Sequence, residues 1–219
     1  ETVIGISTDK ACKPVNVMGM TKSIQERIFI SANILNPQTR FICVRYGNVL
    51  ASRGSVIPLF HDQIRKGGPV TITVPEMTRF LLNMNEAVDT VFTAIREARR
   101  GETYVPYAPA ATVLNTAKAL IGERKIEIRI TGIRPGEKMH EIMVSEEEAN
   151  HCVKRGSYFA ILPMLPELRE TGAAEPNALK KEFSSADTVL DFAGTVDLLK
   201  RHRLLGDDVK LSEDTELLR

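Results

Sequence analysis

The sequence predicts an α/β fold in which the closing part of a parallel sheet is followed by a small mixed lobe of strands and helices. Three observations predict it. Residues 3–7 (VIGIS) and 41–46 (FICVRY) are short, almost continuous apolar runs, the pattern of strands buried on both faces. Between them lies a stretch of helical period, long enough for the crossover that two parallel strands need. After Gly47 the patterns become short and irregular, as in a lobe appended to the end of a sheet.

The first strand ends in small and polar residues, so its carboxyl end faces solvent and the next residues belong to a site. From 17 to 35, Met20, Ile24, Ile28 and Leu35 recur among Lys, Gln, Glu and Arg. This predicts an amphipathic helix stopped by Asn36-Pro37. Strand, helix and strand make a βαβ unit, hence the end of a Rossmann-type sheet. Ser55 then offers a cap for a helix over 56–66, with Pro58 in its first turn and Gly67-Gly68-Pro69 beyond it. Strands over 70–74 and 79–83 follow, then a helix over 86–100 capped by Asn85. A strand over 103–107, a helix over 113–121, a strand over 126–130 and a helix after Gly136 complete the lobe. Residues 167–182 turn polar and predict a mobile surface connection, and a helix over 195–205 precedes a fraying tail.

Composition narrows the function classes. With 29 Lys+Arg against 28 Asp+Glu in 219 residues, the net charge is +1. No sequence-wide field recruits nucleic acid or an anionic membrane, so any anion must meet a local cluster. Three cysteines, Cys12, Cys43 and Cys152, are odd in number and form no CxxC pair. They argue against a disulfide framework or a structural zinc and predict a reducing, cytoplasmic compartment. No apolar run approaches the ~20 residues that span a bilayer, so no membrane contact is predicted from this segment.

Four clusters carry candidate chemistry. Ser7-Thr8-Asp9-Lys10 sits at the end of the first strand and offers hydroxyls, an acid and a base side by side. By itself it fits an N-cap with solvated charges as well as a site. Met18 and Lys22 are four residues apart on the next helix, and this spacing aims both at the strand end. An isolated methionine there reads more simply as packing, and a thioether exchanges no proton. The second cluster runs through Arg45-Tyr46-Gly47-Asn48-Val49 to Ser52-Arg53-Gly54-Ser55-Val56. Its glycine permits close approach of a ligand and Asn48 both donates and accepts, whereas Arg45 and Arg53 also fit solvated loop charges. The third is Thr78-Arg79-Phe80, and the fourth is RPGEKMHE from Arg134 to Glu141. Arginine forks suit a diphosphate and a carboxylate suits a ribose diol. His140-Glu141 lacks the second histidine of a metal helix, so no metal is predicted, and His61, His151 and His202 read as surface residues.

STDKACKPVNVMGMTK over 7–22, with RYGNV and RPGEKMHE in the same order, resembles the extended short-chain dehydrogenase/reductase family. The similarity is to its nucleotide-sugar 4,6-dehydratases of the capsule and O-antigen type, with Met18 in place of the usual tyrosine. The resemblance implies a lyase acting on a UDP-linked N-acetylhexosamine, most simply UDP-N-acetylglucosamine, with bound NAD rather than NADP. It implies hydride removal from C4, loss of the C5 proton with the C6 hydroxyl, and hydride return to C6, with C5 epimerisation open. Lys10 would take the C5 proton, aided by the charge of Lys22, and Asp9 would protonate the leaving hydroxyl. Lys22 would hold the nicotinamide ribose, with Ser7 or Thr8 on the C4 oxygen. Tyr46, Gly47 and Val49 would lie near the nicotinamide. Asn48, Arg53, Ser55, Val56, Arg79, Arg134 and Glu137 would bind the UDP-sugar, with Arg134 on the diphosphate and Glu137 on the ribose.

On this resemblance, residues 1–50 are the closing part of an NAD-binding Rossmann domain, 51–166 mainly the substrate lobe, and 167–219 the connection and last helix. It also implies a homo-oligomer. A UDP-sugar epimerase is the alternative enzyme. The glycine-rich dinucleotide loop, GxGxxG, is absent from the sequence, which predicts on the order of 100 further residues upstream. It also keeps open a non-catalytic UDP-sugar-binding chain, inactive alone.

Overall fold

The computed structural model describes residues 1–52, 54–169 and 175–206. Strand β1 (Thr2–Thr8) runs into a single 3-10 turn at Asp9–Ala11. Helix α1 (Val17–Leu35) is capped by the Asn16 side chain, which accepts from Gly19 N at 2.8 Å. Strand β2 (Arg40–Tyr46) lies parallel to β1 in the register Thr2 to Arg40 through Thr8 to Tyr46, so the βαβ unit forms as the sequence predicts.

The chain then builds the lobe from β3 (Asn48–Val49), α2 (Val56–Arg65), β4 (Val70–Ile72) and β5 (Thr78–Leu82). Helix α3 (Met84–Glu97), β6 (Thr103–Pro106), β7 (Ala110–Thr112), α4 (Val113–Ile121) and β8 (Ile128–Ile130) come next. The last elements are β9 (Ile142–Val144), α5 (Glu146–Ala149), β10 (Cys152–Arg155), β11 (Tyr158–Ile161), β12 (Phe183–Ser184) and α6 (Phe192–Arg201). The largest sheet has the order β1-β2-β6-β11-β10, with β1, β2 and β6 parallel and the last two antiparallel. Three of its five strands thus come from beyond residue 100. In the lobe, β5 lies between β3 and β7, and β4 pairs with β8. Phe60, Leu120, Val70, Ala117 and Leu199 pack α2, α4 and α6 into its core.

Several local expectations change. Helix α3 starts two residues early because Asn83, not Asn85, is its cap: Asn83 Oδ1 accepts from Glu86 N, and Glu86 Oε2 accepts from Asn83 N, both at 2.9 Å. No helix starts directly after Gly136, and the next one, α5, begins only at Glu146. Glu141 N donates to Ser185 Oγ and Thr78 N to the Met139 carbonyl, so the segment is tied laterally and runs extended into β9. His61 is buried, with Nε2 3.0 Å from the Leu204 carbonyl oxygen. Helix α6 begins at Phe192 behind an Asp191 cap and ends at Arg201. The tail expected to fray, 207–219, lies outside the described residues.

The larger correction concerns α1. Met20, Ile24, Ile28 and Leu35, the apolar stripe of the sequence, are exposed, and the buried positions are Gly19, Glu26 and Asn33. Polar side chains sit inward because each has a partner: Asn33 donates to the Phe41 carbonyl and accepts from Phe41 N, and Glu26 meets Arg45. Likewise β1 is the edge strand among the described residues, and Val3 and Ile6, which point to opposite faces, are both exposed, so it is not buried on both faces along its length. The three cysteines are free and buried, and burial pushes each thiol up to about 12, which leaves them inert at neutral pH. Among the described residues no helix is long and apolar enough to cross a membrane.

Candidate active site

The site is assembled where β1 ends. Thr8 is still in extended conformation, and its hydroxyl accepts from Lys10 N, which bends the chain into the 3-10 turn. That turn directs Asp9 inward, where it is wholly buried. Asp9 Oδ1 accepts from Thr8 Oγ1 at 2.8 Å and from Lys10 Nζ at 3.0 Å. Lys10 Nζ donates onward to Asn48 Oδ1 at 3.1 Å, joining the first sequence cluster to the second. Two glycines permit this closeness. A Cβ on Gly19 would stand 2.3 Å from the Lys10 carbonyl oxygen, and one on Gly47 would stand 2.6 Å from Phe80 Cβ and 3.3 Å from Asp9 Oδ2.

Lys22 reaches back from α1 as the i,i+4 argument predicts, donating to the Ile6 carbonyl at 3.0 Å and to Gln25 Oε1 at 2.9 Å. Met18, one turn earlier, is 48% exposed. Ser7 is buried and its hydroxyl has no hydrogen-bond partner, a state it shares with Ser55 Oγ, Asp9 Oδ2 and Glu141 Oε2 among the described residues. Ser55 stands at the N-terminus of α2 without capping it. Tyr46 is half-buried, and burial raises its phenol above the ordinary value.

A cleft of about 240 Å³ brings together Asn48, Val56, Arg79, Arg134 and Glu137, with Thr71 and Thr73 on its wall. Five residues from three distant sequence segments therefore share one cavity. Ser55 and Val49 line a smaller adjoining pocket that includes Asn48 and Arg79. Arg134 and Glu137 are held in one turn, with Glu137 N donating to the Arg134 carbonyl at 3.1 Å. Arg53 lies outside the described residues.

Two features escaped the sequence reading. Arg45, flagged there as a site or loop charge, is buried: its Nη2 meets Glu26 Oε2 at 2.6 Å and Glu148 Oε1 at 2.9 Å. Burial alone would pull this guanidinium down, but the two carboxylates overcome it and hold it well above its ordinary value. Burial would likewise raise Glu148, yet the Arg45 charge and hydrogen bonds, with Ser145, bring it to about 2. The second feature is Glu141, 3% exposed, with Arg79 Nε at 3.7 Å and Lys138 Nζ at 3.9 Å. Burial and then the Asp9 charge push its carboxyl up, and Lys10, Arg79 and Lys138 oppose that push without cancelling it. The signal lay in RPGEKMHE, where Lys138 and Glu141 have i,i+3 spacing.

The profile of a family described as polysaccharide biosynthesis protein matches residues 1–163. Among curated relatives, an uncharacterized membrane protein of Methanocaldococcus jannaschii is 45% identical over 174 residues, 74% of this chain and 52% of that protein. A UDP-glucose 4-epimerase of Rickettsia massiliae is 46% identical over 163 residues, 73% of this chain and 48% of that protein. The chain spans about half the length of these relatives. The crystal structure of Pen from Bacillus thuringiensis superposes with a TM-score of 0.84 at 30% identity, covering 93% of this chain and 64% of that one. A dTDP-glucose 4,6-dehydratase of Streptomyces venezuelae with NAD bound shares the fold at 16% identity, with a TM-score of 0.56 over 63% of this chain and 49% of that one.

Proposed function

The chain belongs to the family described as polysaccharide biosynthesis protein, and on that premise we propose that it carries the sugar-binding and proton-transferring part of a nicotinamide-dependent UDP-sugar-modifying enzyme. The reaction we assign is 4,6-dehydration of UDP-N-acetylglucosamine. One observation carries the reading: the hydrogen-bonded run Asp9–Lys10–Asn48, which ends at the cleft lined by Arg79, Arg134 and Glu137.

The Asp9–Lys10 bond suits an elimination. Passing the Lys10 proton to Asp9 along it turns ammonium and carboxylate into amine and carboxylic acid. The amine takes the C5 proton, and the acid gives its proton to the departing C6 hydroxyl. The C5–H and C6–O bonds break, a C5–C6 double bond forms, water leaves, and the pair returns to its charged state. The elimination by itself needs no outside proton donor.

The residues present fit the nicotinamide end of a dinucleotide. Lys22 spends two of its three protons on Ile6 and Gln25, leaving one for a ribose hydroxyl, and the buried Ser7 hydroxyl lacks a partner. Tyr46 ends β2, and Gly47 and Val49 follow it at the same end of the sheet. A bound nicotinamide would supply hydride removal at C4, with the C4 hydroxyl proton released to solvent, and hydride return at C6, with Lys10 giving a proton back to C5 and regaining one from solvent. Thr8 holds Asp9 in place, Met18 contributes an apolar wall with no proton to exchange, and Asn48 fixes the Lys10 ammonium. Arg79 and Arg134 suit the diphosphate and Glu137 the ribose diol, with Ser55 and Val56 at the sugar side.

Incubating the complete protein with UDP-N-acetylglucosamine in deuterated water tests the reading. Loss of water with deuterium at C5 is expected, and a product of unchanged elemental composition overturns dehydration. Lys10→Ala is expected to slow turnover by roughly 10²–10⁴-fold; full activity removes Lys10 from the mechanism. A second reading, 4-epimerisation, is favoured by the relatives that carry the epimerase name. It predicts an isomeric product with no water lost.

A further inference from the structure

We propose that Asn16 is a positioning residue that sets the spacing between the UDP-holding turn and the proton-transferring pair. The inference rests on the elimination chemistry proposed above and gives the cap of α1 a second task in it.

Elimination needs the C5–H and C6–O of the sugar at Lys10 and Asp9, while Arg134 and Glu137, assigned to the UDP end, belong to a distant part of the chain. Residues 134–137 form a turn: Glu137 N donates to the Arg134 carbonyl at 3.1 Å, Pro135 holds the second position, and Gly136 holds the third at φ 81°. That is the left-handed position of a type II turn, which glycine fills without strain. The Gly136 carbonyl accepts from Asn16 Nδ2 at 2.9 Å, across 120 residues. A Cβ on Gly136 would stand 3.2 Å from Asn16 Cβ, so the turn is pressed against Asn16. A second tie runs beside it, from Lys138 Nζ to the Cys12 carbonyl at 2.5 Å.

The other end of the Asn16 amide holds the helix next to the reacting pair. Asn16 Oδ1 accepts from Gly19 N at 2.8 Å, and Gly19 is where α1 closes on the Lys10 carbonyl, with no room for a Cβ between them. One planar side chain therefore bonds the UDP-holding turn through its nitrogen and, through its oxygen, the helix start that lies against Lys10. Ser, Thr and Asp also cap helices, but Asp has no proton to donate, and the hydroxyls of Ser and Thr sit one bond closer to the main chain. Capping alone leaves the choice among these residues open, whereas the bond to Gly136 calls for the amide. Reacting atoms displaced by about 1 Å lose about 10²-fold in rate, so a tie that fixes this spacing acts on the chemical step.

Asn16→Asp keeps the acceptor for Gly19 N and replaces the donor by an oxygen facing the Gly136 carbonyl. In the complete protein, kcat for water loss is expected to fall about tenfold, with KM for the UDP-sugar within about twofold of the parent and the urea midpoint unchanged. Asn16→Ser, a capping residue too short to reach Gly136, is expected to show the same loss, which separates the missing donor from the added charge. Parent kcat in either variant, or a loss confined to KM or to the urea midpoint, overturns the inference. A readout free of turnover is amide hydrogen exchange. In Asn16→Asp, residues 134–138 are expected to exchange about tenfold faster while residues 17–35 keep the parent rate. Unchanged exchange over 134–138, or equal acceleration of α1, overturns the inference. A parent protein that releases no water overturns the elimination reading instead, and the exchange comparison still decides whether Asn16 holds the turn.

Discussion

Two buried charge clusters lie close together in this molecule, and they are built to opposite rules. Around Arg45 each charge is answered: Glu26 and Glu148 both chelate the guanidinium at hydrogen-bond distance, and the Met143 carbonyl takes a further proton at 2.7 Å. Around Asp9 the charges are nearly balanced, yet Asp9 Oδ2 and Glu141 Oε2 have no hydrogen-bond partner, and the Glu141 ion pairs are long. The first arrangement locks α1, β2 and α5 together. The second leaves proton-accepting oxygens unspent, and unspent buried polar atoms are where a ligand or a proton finds a place.

The largest effect that separates the two belongs to Arg45→Met. It leaves Glu26 and Glu148 buried without their countercharge and is expected to cost about 3–5 kcal/mol in urea unfolding. Should that variant fail to fold, replacing Glu26, Arg45 and Glu148 together by apolar residues is expected to recover the fold, because no charge is then stranded. A near-neutral single variant would break the comparison.

An intermediate effect concerns acid. Glu148 has a folded-state pKa of about 2 against an ordinary 4.5, so its contribution is present above about pH 4.5 and is lost as pH falls toward 2. That contribution is on the order of 3 kcal/mol, and Glu148→Gln is expected to flatten this part of the stability curve. Urea midpoints measured across the window check it.

The smallest effect has the opposite sign. The Glu141 carboxyl is raised in the folded state, so the stability it contributes is present at low pH and is lost as pH rises through its pKa. Glu141→Gln is therefore expected to stabilise the protein at neutral pH by up to about 1 kcal/mol, within the range of ordinary substitutions. A destabilised variant would show that Glu141 belongs with the structural cluster.

Much of the site was legible before the structure. Ser7 to Lys10 stand at a strand end because an apolar run closing in small and polar residues can only be a strand leaving a sheet there, and Lys22 points back because of helical period. Asn48, Val56, Arg79, Arg134 and Glu137 share a cleft although only motif order linked them. The orientation of α1 was not legible: an apolar stripe argues for burial, yet Met20, Ile24 and Ile28 face out. Periodicity names the apolar face of a helix, not the surface that happens to lie against it.

The sequence by itself determined the βαβ unit, Ser55 as the position from which α2 starts, and the residues that crowd the end of β1. Local propensity and spacing act over a few residues, and those features are local. Only the tertiary structure decided what each charge does. Arg45 finds Glu26 across 19 residues and Glu148 across 103, and Glu141 reaches the Asp9 neighbourhood from the far end of the lobe. Electrostatic energy depends on distance in space and on exclusion of water, and neither is written in the order of the chain.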